Sequence, residues 1–176
     1  MTGFQDATAE ATVEANIEAT VAKEATMGLL KIEGVTHWSI GVNDLDESED
    51  FYGNLLGLTP VGRLGNSGMS CFNVGDHNIL LCQRKQPESK RIQEERNVHH
   101  SFTVSPDTFE LACKIFDQKQ IPIDQLVYRA QGFFTGRELY FFDPSGNRLE
   151  LRDPTWTQGM PEPPFAEIVG GNRGRL

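Results

Sequence analysis

Cysteine is scarce in this chain: Cys71, Cys82 and Cys113 are the only three in 176 residues, odd in number and without a C-x-x-C pair. Neither a disulfide framework nor a zinc knuckle follows from that spacing, and the three read as small apolar residues bound for the interior. Basic residues are also few, 16 Lys and Arg against 25 Asp and Glu, for a net charge of -9 and a pI near 4.9. Nucleic acid and anionic membrane surfaces need a basic face, so both are poor partners for this composition, and a small-molecule substrate is expected instead. No apolar run is long enough to cross a bilayer. The first 26 residues are acidic and rich in Ala and Thr, unlike a signal or transit peptide, so a cytoplasmic location is expected.

Residues 1–30 carry Glu10, Glu14 and Glu18 on one stripe and Val13, Ile17 and Val21 on another, which predicts a helical or disordered arm with a thin apolar seam. From Gly34 the texture changes to alternation. Val35, His37, Ser39 and Gly41 fall on one face of a strand, and Thr36, Trp38, Ile40 and Val42 on the other. A helix follows through NDLDESEDFYGNLLG, capped by Asp44 and stopped by Gly57. Three strands are then predicted, at 59–64, 69–74 and 78–83, and the mixed-charge stretch 84–97 reads as a solvated connector. The pattern restarts with His99, Ser101 and Thr103 on one strand face and Val98, His100, Phe102 and Val104 on the other. Pro106 opens a second helix, and strands at 123–128, 134–142 and 147–152 complete the unit.

H-x-S-[IF]-x-V thus occurs twice, at His37 and at His99, each time ahead of a helix and three strands. One βαβββ unit is too small to bury its own sheet, so the fold class expected is α+β, with modules 34–84 and 97–153 pairing into a curved mixed sheet around a groove. The core domain is then 31–153, and residues 154–176, rich in Pro and Gly, form an extended tail that partly covers the groove.

Adjacent strand residues face opposite ways, so His99 and His100 cannot serve one site. His99 aligns with His37 and faces the groove, whereas His100 aligns with Trp38 and faces the packing side, where Trp38 and Phe102 are read as core. His77 sits in a Gly-Asp-His-Asn turn. Glu150, in RLELR, reads by itself as part of a wet, charge-alternating strand face. If that strand lies beside the one carrying His99, however, two imidazoles and one carboxylate can meet around a divalent metal and leave coordination positions open for substrate.

The paired H-x-S-[IF]-x-V strands and the ending GRELYFFDPSGNRLELRD resemble the vicinal oxygen chelate superfamily over residues 35–153. That superfamily includes glyoxalases, fosfomycin-resistance thiol transferases, bleomycin-binding proteins and extradiol dioxygenases. The resemblance implies a metal site of His37, His99 and Glu150, and homodimers in which the modules complete their pairing. Leucines in HNILLCQ stand where four-ligand members such as glyoxalase I have a further ligand, so a three-ligand site is expected. The segment from Leu139 to Glu150 also fits the extradiol dioxygenase signature, with Tyr140 as its active-site tyrosine, although Gln131-Gly132-Phe133 stands where that signature has a histidine. In the fosfomycin-resistance enzymes a lysine, a serine and an arginine hold the phosphonate; here Ala130, Phe134 and Gly159 stand in those places.

These resemblances imply, as the favoured expectation, an Fe(II) dioxygenase acting on a small oxygen-rich or catecholic substrate. Tyr140 would be catalytic and Ser39, Ser101, Arg137 and Arg152 would contact the substrate, with Arg129 a further candidate for an anion site. The alternatives are a glyoxalase- or fosfomycin-resistance-type enzyme using Mn(II), Ni(II) or Zn(II), and a metal-free binding protein of the bleomycin-sequestering kind.

Overall fold

The alternation that starts at His37 becomes β1 (His37–Val42), and the predicted helix follows as α1 (Leu45–Glu49), running on into a π-helical segment, Asp50–Leu55. Asp44 caps α1, its Oδ1 accepting the Glu47 N–H at 2.9 Å. Next come β2 (Thr59–Arg63), β3 (Met69–Val74) and β4 (His77–Gln83). The second module repeats the order with β5 (His100–Thr103), α2 (Pro106–Gln118), β6 (Ile123–Arg129), β7 (Gly136–Phe142) and β8 (Arg148–Asp153). Ser105 caps α2 by accepting the Thr108 N–H, and Pro106 opens its first turn, where a missing N–H costs nothing. The computed structural model describes residues 33–88, 97–164 and 167, and the described residues from Thr36 onward form one unit. The expected N-terminal arm, most of the charged connector and the end of the tail lie outside the described residues.

The expected α+β architecture of two βαβββ modules is present, with one refinement. Each module makes its own four-stranded mixed sheet, ordered β1-β4-β3-β2 and β5-β8-β7-β6. No strand ladder joins the two sheets among the described residues, and β1 and β5 are each an edge. In both sheets the first strand of the module runs parallel to its last, pairing His37 with Asn78 and Ser101 with Glu150.

One apolar core nevertheless serves both modules. Ile40, Val42, Ile79, Leu81 and Phe72 from the first sheet cluster with Leu139, Phe141, Leu149 and Leu151 from the second, and with Phe109, Cys113 and Phe116 of α2. Phe141 lies at the junction, its ring centroid 4.7 Å from Phe116 and 6.5 Å from Phe51. A buried polar clasp joins the modules at the β7–β8 turn. The Tyr52 hydroxyl donates to Asp143 at 2.9 Å, Asn147 Nδ2 donates to the Gly41 carbonyl at 2.9 Å, and the Asn43 N–H donates to Ser145 Oγ at 2.8 Å. Arg84, at the start of the predicted solvated connector, is drawn into this clasp by the amide oxygens of Asn43 and Asn147.

Trp38 does not join the core as expected: it is 50% exposed on the edge strand β1, whose outer side no strand among the described residues covers. The described part of the tail also departs from expectation. Trp156 is buried beside Tyr128, with ring centroids 5.2 Å apart, and the Tyr128 hydroxyl donates to the Pro163 carbonyl at 3.0 Å. Tyr128 pairs with Arg137 on the helix side of the second sheet, so these contacts hold residues 156–163 away from the face that carries Glu150. Cys71 and Cys113 are buried and Cys82 half-buried, all as free thiols. No helix among the described residues is long and apolar enough to cross a membrane.

Candidate functional site

The second sheet has two chemically opposite faces, set by strand parity. Leu149 and Leu151, Phe141 and Leu139 point at α2, so Arg148, Glu150 and Arg152, with Tyr140 and Glu138 across the β7–β8 ladder, point the other way. Parallel pairing of β5 with β8 adds Ser101 beside Glu150 and Thr103 beside Arg152. His99 stands just before β5 on that same face, and its Nε2 lies 2.9 Å from Glu150 Oε2.

This pair is built to offer two donors to one point. Glu150 is buried, at 5% side-chain exposure, while His99 is 27% exposed and reachable. The other ring nitrogen of His99, Nδ1, lies 3.2 Å from the Asn97 carbonyl, which leaves Nε2 to the carboxylate side. The Tyr140 ring meets the His99 ring edge to face at 5.3 Å and so fixes its orientation. An imidazole nitrogen and a carboxylate oxygen converging in this way suit a borderline divalent metal, with orientation supplied by the surrounding shell. Among the described residues, no group of three His, Cys, Asp or Glu could hold a metal ion. His37 is thus not brought to the pair: it is exposed on β1, its Nδ1 3.1 Å from Thr36 Oγ1, and Ser39 is exposed two residues on.

The Tyr140 hydroxyl spends its proton on Glu138, donating to Oε2 at 3.0 Å. Burial, with Glu150 and Glu138 adding negative charge, pushes the phenol well above its ordinary pKa, so it stays protonated. Glu138 is a feature the sequence reading missed. It is 1% exposed and is gripped by Arg129 through two parallel bonds of 2.9 Å, which accounts for a carboxylate so deeply buried. Its position two residues before Tyr140 marked the shared face, but nothing in the local sequence indicated the burial. Arg148 is likewise committed, stacked 3.8 Å over the Tyr140 ring and bonded to Asp124 at 3.0 and 2.9 Å.

Arg137 does not belong to this face, contrary to expectation. Its parity turns it toward α2, where Asp153 holds its Nε at 2.8 Å, Glu110 accepts from it and its guanidinium covers the Phe109 ring at 4.4 Å. Arg152 is on the site face, beside Thr103 and near Phe134. His100 is on the packing face, and burial lowers its pKa.

Residues 34–151 match the Glyoxalase/Bleomycin resistance protein/Dioxygenase superfamily, and the chain belongs to that family, within the vicinal oxygen chelate superfamily. Among its relatives is a glutathione transferase, FosA of Serratia marcescens, 31% identical over 68% of this chain and 80% of that protein. Another is the metallothiol transferase FosB of Lysinibacillus sphaericus, 28% identical over 72% of this chain and 86% of that one. A solved relative in fold is the fosfomycin resistance protein FosX of Listeria monocytogenes complexed with Mn(II) and sulfate, with TM-score 0.56, 21% identity, and coverage of 70% of this chain and 91% of that one.

These transferase relatives overturn the expectation of a dioxygenase, and they give no support to the oxidoreductase assignment or to a preference for Fe(II). The physical reason lies in what the signature encodes. From Leu139 to Glu150 it specifies a strand, the Asp143-Pro-Ser-Gly turn and a carboxylate on the return strand, which any metal chemistry on this scaffold can use. The oxygen-handling histidine that would distinguish ring cleavage is replaced by the 130–135 hairpin tip, with Phe133 fully exposed.

Proposed function

We propose that this protein is a divalent-metal-dependent transferase of the fosfomycin-resistance type, adding a thiol to a small electrophile. The observation that carries the reading is the His99–Glu150 pair at 2.9 Å, with Glu150 opposite Tyr140 on the paired strand, in a chain 31% identical to a glutathione transferase. His99 and Glu150 would hold the metal, whose chemistry is Lewis acidity toward an oxygen of the electrophile. Tyr140 orients His99 and, with its own proton committed to Glu138, presents an oxygen lone pair to the site. Ser101, exposed beside Glu150, offers a hydroxyl to the substrate.

The working form we propose is a homodimer, in which His37 of the partner subunit supplies the third ligand. Two facts support it: His37 stands exposed and apart from the His99–Glu150 pair, and β1 and β5 each lie at a sheet edge, with Trp38 50% exposed on β1 and Val98 66% exposed just before β5. Edges of this kind are covered by a further strand or another chain in stable proteins. Ser39, two residues from His37 on the same face, would enter the site with it.

The test is metal analysis of purified protein reconstituted with Mn(II), together with a thiol-conjugation assay using glutathione and small epoxides. His99→Ala is expected to lose most bound metal and His100→Ala to keep it. Full retention by His99→Ala overturns the assignment, and conjugation that persists in metal-free protein overturns the reaction class.

A further inference from the structure

The site face carries three arginines, and two are already neutralised. Arg129 is paired with Glu138, and Arg148 with Asp124. Arg152 pairs with no carboxylate among the described residues. One of its terminal nitrogens donates to the Thr135 carbonyl, and its guanidinium lies 5.8 Å from the Phe134 ring centroid. Its Nε–H is buried and has no acceptor among the described residues. Buried donors are almost always satisfied, and a charged fork left with an idle donor two residues from the candidate metal ligand Glu150 calls for an anionic partner.

Its surroundings specify more than charge. Thr103, exposed beside Arg152 on β5, places a hydroxyl on the same face, and Phe134, 67% exposed, flanks the guanidinium. Phe133 stands fully exposed on the same hairpin. Exposed adjacent phenylalanines are costly to keep in water unless they have a flat apolar surface to cover. A guanidinium fork with an aromatic ring at its side fits a planar carboxylate attached to an aryl or similarly flat group.

On the reading of the site given above, we infer that Arg152, Thr103 and Phe134 form the acceptor subsite, and that the electrophile is an aryl-bearing carboxylate, such as an epoxy acid. In the transfer the thiol sulfur forms a bond to an epoxide carbon as the C–O bond breaks, the freed oxygen takes the thiol's proton, and the carboxylate stays on Arg152 unchanged.

The experiment is calorimetric titration of the dimeric, Mn(II)-loaded protein, repeated without metal, using unreactive probes: 3-phenylpropionate, 3-phenylpropanol and inorganic phosphate. The acid is expected to bind at least tenfold more tightly than the alcohol or phosphate, with or without metal. Arg152→Gln should weaken the acid tenfold or more and leave the alcohol within twofold, while Phe134→Ala should weaken both organic probes. Equal binding of acid and alcohol, an unchanged Kd in Arg152→Gln, or phosphate binding as tightly as the acid would each overturn the subsite. Metal content measured on the same Arg152→Gln sample separates the two readings: if metal is retained while acid binding is unaffected, the subsite fails and the metal site stands.

Discussion

Tyr52→Phe removes one oxygen atom and no packing, and it isolates the contact that locks the first module onto the β7–β8 turn. The Tyr52 hydroxyl donates to Asp143 at 2.9 Å, and both residues are essentially buried, at 0% and 1% exposure. Burial raises the pKa of Asp143, while Asn147, through its side chain and N–H, and Tyr52 pull it back down. Hydrogen bonds to a charged group contribute about 1.5–3 kcal/mol, and a carboxylate this deeply buried cannot recruit water in place of a lost donor. A loss of about 2 kcal/mol at pH 7 is therefore expected, or about 5 °C in Tm for a unit of this size.

The sign with pH follows from the same contacts. Because the folded-state pKa of Asp143 is raised, its ionisation works against folding as pH rises through that pKa, and the penalty is absent below the unfolded value of about 3.9. Removing the Tyr52 donor raises the folded pKa further, so the mutational cost must be largest at neutral pH and shrink as the solution is acidified. Urea denaturation of both proteins at pH 7 and pH 4.5 measures it. A cost below about 0.5 kcal/mol at pH 7, or one that does not shrink on acidification, would refute the reasoning.

Gly136→Ala should destabilise by about 3 kcal/mol, since φ is +134° there and an added Cβ would sit 2.3 Å from the Asp153 carbonyl oxygen; thermal denaturation reads this directly. Asp153→Asn should cost about 2 kcal/mol at pH 7. Burial opposes the Asp153 charge, but Thr155, donating from N and Oγ1 at 2.9 and 2.7 Å, and Arg137 outweigh it and lower the pKa. That stabilisation is present above the unfolded pKa of about 3.9 and fades as pH falls through the folded one, so the gap between variant and wild type should narrow as urea titrations are carried below that pH.

Much of the fold was legible because its elements carry strong local signals. Alternation from His37 and from His99, the cap at Asp44, Pro106 at the head of the second helix, and the Gly-containing turns place the strands and helices within a residue or two of where they stand. The repeat also separated His99 from His100 by face, as the β5–β8 pairing has it. Arg137 could have been excluded on the same grounds, since it lies three residues from Tyr140 and strand parity sends it to the opposite face. What periodicity could not carry was anything set across the sheet or beyond the chain. Glu138 looks like any exposed strand carboxylate until Arg129 and Tyr140 are seen closing over it, and Trp38 looks like core until β1 proves to be an edge. The choice between redox and transfer chemistry was also out of reach, because Leu139 to Glu150 encodes a ligand-bearing hairpin and not a reaction.

The central claim is that His99 and Glu150 of one subunit share a metal with His37 of the partner subunit. Co-expressing His37→Ala and His99→Ala chains with different tags, isolating the heterodimer and measuring Mn(II) content tests it most directly. A shared site leaves one intact and one doubly broken site per heterodimer, so metal should return to about half the wild-type content although each parent homodimer binds little. A heterodimer as empty of metal as its parents would contradict the account.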